Sequence, residues 1–415
     1  MSITEPQRED NPFKPGAGHS PPHLAGREQE IAAFREFLTQ DEVTKNVILT
    51  GLRGVGKTVL MDDKYRPAAI DANWAWVGSD FSESSFLNEQ NLCIRLLTDL
   101  SVFSSGLTFE KKMATSFGFM SADKETQSFD FDFLFSVYAA TPGLTADKLK
   151  AVLQMVWEAA QLRGTRGIVF AYDEAQVVSD REEKDEYPLA VLLETFQSIQ
   201  RKGARYLLLL TGLPTLFPRL VESRTYAERM FAVQEIGRLT PEESRKAITV
   251  PLEGNKWSFT QESLDLIVKT ADGYPYFIQF ICRQALDHLR TNPQDSSVPI
   301  EPIVRQLDAN FFSGRWETLT DRQRDLLYCI AQLENADGEY TINEIVEISK
   351  SDDRIKRFSP NDVSQILPRL IERGVIYKNR YGKYAFAVPL FSRFINRRLC
   401  SRPLQATPFN QDGPR

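Results

Sequence analysis

The chain has 415 residues, of which 42% are hydrophobic and 26% charged, and its formal net charge is −6 at pH 7. This length exceeds one comfortable hydrophobic core and predicts two or three domains, and the composition excludes a globally disordered chain. The four cysteines and three histidines are dispersed, which disfavours a zinc ribbon, a disulfide scaffold or a metal site built from protein ligands alone. No apolar leader and no run of about 18 apolar residues occurs, so we expect a cytoplasmic protein without a membrane segment.

The N-terminal part of the sequence predicts an extended arm, then a helix and a strand. Residues 1–23 are rich in Pro, Gly and polar side chains, and their prolines disfavour a helix. The apolar spacing of 27–38 predicts a helix, and the β-branched apolar run 46–50 predicts a buried strand. A second helix is expected at 58–63, because Pro67 limits how far it can extend.

A glycine-rich turn follows the first strand and matches the pattern GxxxxGK[ST]. Its glycines let main-chain N–H groups point at phosphate oxygens, Lys57 supplies a charge to the β and γ phosphates, and the Thr58 hydroxyl ligates Mg²⁺. The following helix adds its N-terminal dipole. An ordinary glycine-rich turn is the alternative, but the strand–turn–helix context favours a site for ATP and Mg²⁺. The predicted contacts are Gly51, Arg53, Gly54, Val55, Gly56, Lys57 and Thr58.

Strands and helices then alternate, which predicts an α/β fold with a parallel sheet covered by helices on both faces. The one segment without a clear period is 101–145, rich in Ser and Phe, which we interpret as an insertion or a partly ordered loop. The predicted elements are strand 73–77, helix 84–100, helix 146–162, strand 167–172, helix 188–202 and strand 205–211.

Two carboxylates, Asp173 and Glu174, follow the strand 167–172 directly. In an open α/β sheet the C-terminal end of this strand lies beside the phosphate-binding turn. We predict that Asp173 orients Mg²⁺ through a water and that Glu174 polarises the attacking water as a base. The alternative is a solvated Asp-Glu pair that only caps a strand, and a P-loop at this distance disfavours it.

The next strand ends at Thr211, which is predicted to sense the γ-phosphate or to hold the attacking water. A threonine that only satisfies a turn is an open alternative. Arg219, Arg224 and Arg229 follow, and an arginine here can reach a neighbouring subunit's γ-phosphate as a finger. Arg229 is the first choice and Arg224 the second, with a surface or ion-pair role as the alternative for each.

Several motifs together resemble the AAA+ ATPases of the origin-recognition-complex-like and STAND groups, over about residues 11–290. They are His23 to Glu30, the P-loop, Asp173-Glu174-Ala175-Gln176, Thr211-Gly212 and Ala271 to Tyr276. The resemblance implies an ATPase core at 24–238 and a helical lid at 239–298. It also implies that Leu24 and Arg27 lie on one side of the adenine and Pro275 on the other. The acidic motif is similar to that of transposition-helper ATPases as well.

The C-terminal part predicts a linker at 299–315, a winged-helix domain at 316–400 and a disordered tail at 401–415. Three amphipathic helices precede a hairpin, and Ser359-Pro360 is a strong start for the third. The predicted elements are helices 320–333, 341–349 and 361–373 and strands 375–378 and 384–388.

Duplex DNA is the predicted partner of 350–400, because this stretch carries twelve Lys/Arg and four Asp/Glu. The predicted wing cations are Lys378, Arg380 and Lys383, and the predicted groove-facing residues are Asn361, Ser364 and Gln365. Pro368 weakens the third helix as a reader of bases. A winged helix that packs against protein and contacts no DNA is an equal alternative.

The function predicted from these motifs is ATP hydrolysis that drives a conformational or assembly switch, acting on DNA or a DNA-bound partner. The chain is expected to form a homo-oligomer or to bind a partner protein. The alternative is a STAND-like signalling or defence ATPase in which the winged helix is a packing module. A metabolic P-loop kinase is disfavoured, since the sequence carries no motif for a phosphate acceptor.

Overall fold

The computed structural model describes residues 10–16, 18–81, 88–112, 124–295, 297–352, 355–380 and 382–400. The chain divides into two compact units, Met1–Val298 and Pro299–Arg415. The predicted disordered tail at 401–415, residues 1–9 of the arm and the start of the helix predicted at 84–100 lie outside the described residues. The described part contains no helix with the length and apolarity needed to span a bilayer.

The first unit alternates strands and helices before a purely helical end. Its elements are α1 Glu28–Thr39, β1 Asn46–Thr50, α2 Lys57–Leu60, a π-helical turn Met61–Tyr65, α3 Arg66–Asp71, β2 Trp74–Val77, α4 Glu89–Ser104, β3 Thr108–Lys112, β4 Lys124–Ser128, α5 Phe131–Ala140, α6 Thr145–Leu162, β5 Gly167–Tyr172, α7 Pro188–Arg201, β6 Tyr206–Gly212, α8 Leu216–Ser223, α9 Ala227–Met230, β7 Phe231–Glu235, α10 Pro241–Thr249, α11 Gln261–Ala271 and α12 Pro275–Thr291.

Five of the described strands form one parallel sheet in the order β2-β5-β6-β1-β7. Every residue of β1, β5 and β6 is buried, as expected for apolar strands covered on both faces. Helices α4, α7 and α8 pack against β2, β6 and β1 respectively. The parallel α/β class predicted from the sequence is confirmed, and the carboxyl ends of β1, β5 and β6 lie side by side.

The helix after the P-loop is longer than the sequence predicted. It continues through Pro67 to Asp71, because a π-helical turn at Met61–Tyr65 separates the two α-helical segments. Pro67 lies in the first turn of the second segment, where its missing N–H costs least.

Most of the described part of the segment 101–145 is helix or strand, which differs from the expectation of a partly ordered loop. It completes α4, forms the antiparallel pair β3–β4 and then forms α5. Phe131, Phe133 and Phe135 lie at the start of α5. Asp130 is the N-cap of this helix, and Phe131 stacks on Phe135 one turn later. Residues 113–123 lie outside the description.

Three elements between β6 and the lid were missed, namely α8, α9 and β7. Strand β7 pairs in parallel with β1 at the edge of the sheet, and its outer positions Val233 and Glu235 are exposed. A five-residue strand that ends in two polar residues gives a weak sequence signal.

The N-terminal arm carries no described helix or strand, and it contacts the lid helix α12. Phe13 is completely buried. The Asn11 side-chain amide donates to the carbonyl oxygen of Arg283 at 3.0 Å and to Asp287 Oδ1 at 2.8 Å, and Arg283 Nη1 donates to the carbonyl oxygen of Phe13 at 2.9 Å. Farther along, Ser20 Oγ donates to Asp63 Oδ1 at 2.8 Å, on the π-helical turn after the P-loop.

The second unit is mainly helical. Its elements are α13 Ile300–Leu307, a π-helical turn Asp308–Phe312, α14 Ser313–Glu317, α15 Asp321–Ala331, α16 Ile342–Ser351, α17 Pro360–Glu372, β8 Ile376–Arg380, β9 Lys383–Phe386 and α18 Phe391–Cys400. Helices α15, α16 and α17 begin at capping boxes with Thr320, Thr341 and Ser359 as the N-caps, which explains why their starts were predictable.

Residues 299–315, expected to be a linker, are helical in the structure. Ile303, Leu307 and Phe312 are buried, so this stretch belongs to the core of the second unit. Its apolar spacing of four to five residues is a helical signal that the two prolines nearby obscured. Helix α17 also continues through Pro368, which lies on its exposed face.

Candidate nucleotide site

The glycine-rich turn begins at the junction of three parallel strands. The amide of Gly51 donates to the carbonyl oxygen of Gly212 at 3.2 Å. A Cβ at Gly51 would lie 2.4 Å from the carbonyl oxygen of Ile236, so only glycine fits between the ends of β6 and β7. Gly54 and Gly56 have φ values of 80° and 93°, which the turn requires and other residues rarely adopt. The turn is therefore specified by backbone packing at both of its ends.

Lys57 opens α2 with its ammonium group folded back over the turn. Its side chain is buried, and Nζ donates to the carbonyl oxygens of Gly51 and Leu52, each at 3.0 Å. Burial lowers the pKa of Lys57, and the nearby charges of Asp173 and Glu174 oppose that shift. An ammonium has three N–H donors, so one remains for a further acceptor such as a phosphate oxygen.

A hydrogen-bonded chain of three side chains joins the turn to the two central strands. The hydroxyl of Thr58 donates to Asp173 Oδ2, and the hydroxyl of Thr211 donates to Asp173 Oδ1. Asp173 and Thr211 are both buried. The structure therefore brings together three of the residues that the sequence assigned to catalysis and Mg²⁺.

This oxygen-rich group has the chemistry that Mg²⁺ requires. Mg²⁺ prefers hard oxygen ligands and is commonly held by one or two protein groups together with substrate phosphates and waters. Thr58 and Asp173 supply a hydroxyl and a carboxylate in contact. The described residues contain no cluster of three or more His, Cys, Asp or Glu that could hold a metal ion.

Glu174 follows Asp173 in an unusual backbone conformation, with φ 51° and ψ 34°. A non-glycine residue in this left-handed region costs about 1 kcal/mol or more and persists only where its surroundings enforce it. Its amide donates to Asp173 Oδ1 at 2.7 Å. Its carboxylate oxygen Oε2 accepts a hydrogen bond from the side-chain amide of Gln176, a residue to which sequence reasoning gave no role.

Two of the segments predicted to flank the adenine, at Arg27 and at Pro275, contact the turn. Arg27 is buried, and its guanidinium donates to the carbonyl oxygens of Val55 at 3.2 Å and Gly237 at 2.8 Å. Burial lowers the pKa of Arg27. Pro275 begins α12, and the next amide donates to the carbonyl oxygen of Gly54 at 3.3 Å. Leu24 is half-buried. The structure thus brings Arg27 and the Pro275 segment to the P-loop.

The three candidate finger arginines have different environments. Arg219 donates to the carbonyl oxygen of Gln176 at 2.6 Å, inside the same unit. Arg224 donates to the carbonyl oxygen of Ser223 at 2.9 Å. Arg229 lies exposed on the short helix α9, and its guanidinium forms no hydrogen bond or ion pair with a residue that the structure describes.

Two known proteins have a similar architecture. The chain is similar to a Walker-type ATPase of Pyrococcus abyssi, at 15% identity and a TM-score of 0.57, with 90% of this chain and 96% of that one covered. It is similar to the ORC2 protein of Aeropyrum pernix, in a structure of ADPNP-ADP complexes, at 15% identity and a TM-score of 0.52, covering 94% and 100%. The ADP form of that protein gives 14% identity and a TM-score of 0.54, again covering 94% and 100%.

A domain of unknown function, DUF8462, matches residues 309–395, and no curated protein matches the sequence. At these identities the structural likeness establishes the fold alone, which is that of the Walker-type ATPase and of the ORC2 protein. The origin-recognition-complex-like fold predicted from the motifs is confirmed, whereas the C-terminal winged helix stays a prediction.

Proposed function

We propose that this chain is a Mg²⁺-dependent ATPase that binds ATP at the Gly51–Thr58 turn and hydrolyses it. The observation that carries the proposal is the contact of Thr58 and Thr211 with the two oxygens of Asp173. These contacts place the P-loop helix and the ends of two neighbouring strands at one point in an AAA+ fold. An ordinary glycine-rich turn does not require a buried carboxylate and two hydroxyls at the start of the helix that follows it.

The binding step is assigned to the turn and its lysine. Main-chain N–H groups of the turn and the N-terminus of α2 attract the phosphates. Lys57 uses its remaining donor on a phosphate oxygen, and Thr58 with Asp173 would hold Mg²⁺. When bound, the metal would neutralise negative charge that develops on the phosphates. Leu24, Arg27 and Pro275 are proposed to form the adenine end of the same site.

The hydrolytic step is assigned to Glu174, with Thr211 beside it. Glu174 accepts a proton from the attacking water, and the Thr211 hydroxyl helps to orient that water or the γ-phosphate. Arg229 is proposed to act in an assembly, where an exposed guanidinium can reach the γ-phosphate bound by a neighbouring copy. This gives hydrolysis a dependence on self-association.

We propose that the hydrolysis cycle drives a conformational or assembly switch on duplex DNA or on a DNA-bound partner. The second unit supports this proposal, since three helices and a hairpin follow in winged-helix order. The outer face of α17 exposes Asn361, Ser364 and Gln365, and Lys378 is exposed on the hairpin. Polar side chains on a helix can contact base edges in the major groove of DNA, and a cationic hairpin beside that helix can contact the phosphates.

A signalling ATPase whose C-terminal unit packs against protein is favoured by a different observation. Part of the basic charge of 350–400 is neutralised inside the unit. Arg397 binds Asp308 through two nitrogens, and Arg398 binds Glu317. These pairs reduce the charge that is available to a polyanion.

The test is ATP turnover by a Glu174→Gln variant, measured with and without duplex DNA and compared with the parent chain. We expect turnover to fall at least about 100-fold, while a labelled ATP analogue still binds with unchanged affinity. Unchanged turnover would remove Glu174 from its proposed role. If salt-dependent DNA binding is present, it supports the DNA proposal; ATP-dependent self-association without any DNA effect supports the signalling alternative.

A further inference from the structure

Gln176 occupies a buried position immediately after the two candidate catalytic carboxylates. It lies in the 3-10 turn Ala175–Val177 that follows β5, and it is 8% exposed. Both ends of its side-chain amide are used. Nε2 donates to Glu174 Oε2, and Oε1 accepts from the amide of Leu213 at 3.1 Å. The side chain therefore connects Glu174 with the end of β6.

The main chain and the neighbours of Gln176 hold this side chain in place. Its carbonyl oxygen accepts from Arg219 Nη1 at 2.6 Å. A Cβ at Gly212 would lie 2.5 Å from Gln176 Oε1, which shows how closely the amide covers the strand end. A glutamine with this set of contacts has little rotamer freedom, so it can restrict the carboxylate that it binds.

The hydrogen bond from Gln176 uses only one of the two oxygens of Glu174. Oε1 of Glu174 forms no hydrogen bond with any residue in the described part of the chain. A carboxylate with one oxygen anchored and the other open has a defined direction in which to accept a proton from water. Such fixed orientation is what a general base requires, because small displacements from a reactive geometry can reduce rates about 100-fold.

We propose that Gln176 is a positioning residue that orients Glu174 toward the attacking water and couples it to the end of β6. This inference rests on the proposed ATPase function. Because Thr211 and Leu213 lie at the end of the same strand, a shift of that strand on nucleotide binding changes the orientation of Glu174 through Gln176. The hydrogen bonds of Gln176 go to Glu174, Leu213 and Arg219 and to none of the described P-loop residues, so we expect nucleotide affinity not to depend on it.

The test replaces Gln176 by methionine, which keeps the length and the unbranched shape and removes both hydrogen bonds. We expect kcat for ATP to fall about 10- to 100-fold, with KM for ATP and the affinity for a non-hydrolysable ATP analogue within about twofold of the parent values. Hydrogen exchange at the amide of Leu213 is expected to accelerate, because that amide loses its acceptor. Gln176→Asn withdraws the amide by one methylene and should show the same loss if the methionine variant does not fold.

A matched control is Gln154→Met, since Gln154 donates to Glu158 at 3.0 Å within α6, which contributes no described contact to the nucleotide site. This variant should retain the parent kcat. A double-mutant cycle with Glu174→Gln completes the test: once Glu174 is replaced, Gln176→Met should lower kcat no further.

The possible failures are distinguishable. If the parent chain shows no ATP turnover, the proposed function fails. If the parent turns over ATP and Glu174→Gln retains full turnover, Glu174 is not the general base and the inference about Gln176 is overturned. If Glu174→Gln removes turnover while Gln176→Met keeps it, only the positioning role fails. Additive losses in the double variant, or a rise in KM that matches the fall in kcat, would assign Gln176 a merely structural role and overturn the inference.

Discussion

The nucleotide site and the outer surface of the C-terminal unit both carry charged and polar residues, but they constrain these residues very differently. Lys57 and Asp173 are 8% and 6% exposed and bind main-chain carbonyls and hydroxyls. In the second unit Arg369 and Lys378 lie exposed on a helix and a hairpin. A buried site has one arrangement fixed by its packing, whereas an exposed surface keeps several, so the two regions should differ in how strongly a single substitution acts.

The largest expected effect is the loss of ATP affinity in Lys57→Ala. Removing the ammonium deletes a charge-assisted contact with the phosphates in a dry site, where such a bond contributes about 1.5 to 3 kcal/mol. We expect about 10- to 100-fold weaker binding of a labelled ATP analogue in equilibrium titration. Lys64→Ala, on the same continuous helix, is the control and should bind normally. Parent-like affinity in the lysine variant would contradict the whole assignment of the site.

The two regions can also be compared through buried thiols, since Cys93, Cys282 and Cys329 lie in α4, α12 and α15 respectively. Saturating ATP analogue should slow modification of Cys93 and Cys282 by up to about 100-fold at a concentration near 100 times Kd. Cys329 belongs to the second unit and should react at an unchanged rate. Single-cysteine variants with an aromatic disulfide reagent measure each rate, and equal protection of all three would remove the distinction between the units.

The same thiols predict a pH dependence of stability. Burial raises the pKa of Cys93 and of Cys329 to about 12, whereas an unfolded cysteine titrates near about 8.5. Above that pH the unfolded state loses protons first, so the free energy of unfolding should fall as the pH rises toward 12. Denaturant titrations between pH 8 and 11 test this, and Cys93→Ala should reduce the slope.

A smaller contrast concerns two glycines. Gly51→Ala places a Cβ 2.4 Å from the carbonyl oxygen of Ile236, so it should lower the stability of the first unit by about 1 to 3 kcal/mol. Gly314, in α14, has no atom within 4 Å of an added Cβ. Gly314→Ala should therefore stabilise the second unit by about 0.5 to 1 kcal/mol. Denaturant midpoints measure both, and a neutral Gly51→Ala would contradict the close approach.

The smallest expected effects lie on the proposed DNA surface. Lys378→Ala and Lys383→Ala should each reduce the slope of log affinity against log salt by about 1, if these side chains neutralise phosphates. Arg397→Ala is the matched control, because Asp308 already neutralises that guanidinium, and it should leave the slope unchanged. Titration of labelled duplex DNA at several salt concentrations provides the measurement. An equal response of all three variants would argue against the hairpin as the contact.

The structure brings together most of the residues that the sequence assigned to the candidate nucleotide site, because the patterns that specify them are local. The strand 46–50, the turn and the carboxylate pair at Asp173 are short contiguous patterns with a strict spacing, and parallel pairing alone brings them together. The role of Gln176 escaped prediction because it depends on Leu213, thirty-seven residues away. The helical character of 299–315 was obscured by nearby prolines, and the strand β7 is only five residues long and ends in two polar residues, which makes its pattern weak.

The contacts of the N-terminal arm restrict how far the lid can travel. Asn11 and Phe13 are bound to the lid helix α12, while Ser20 is bound to Asp63 on the helix after the P-loop. Six residues separate Phe13 from Ser20, and a chain of that length spans at most about 25 Å. The arm therefore limits the distance between α12 and the helix that follows the P-loop. Any wider opening for nucleotide exchange must first release one of its ends.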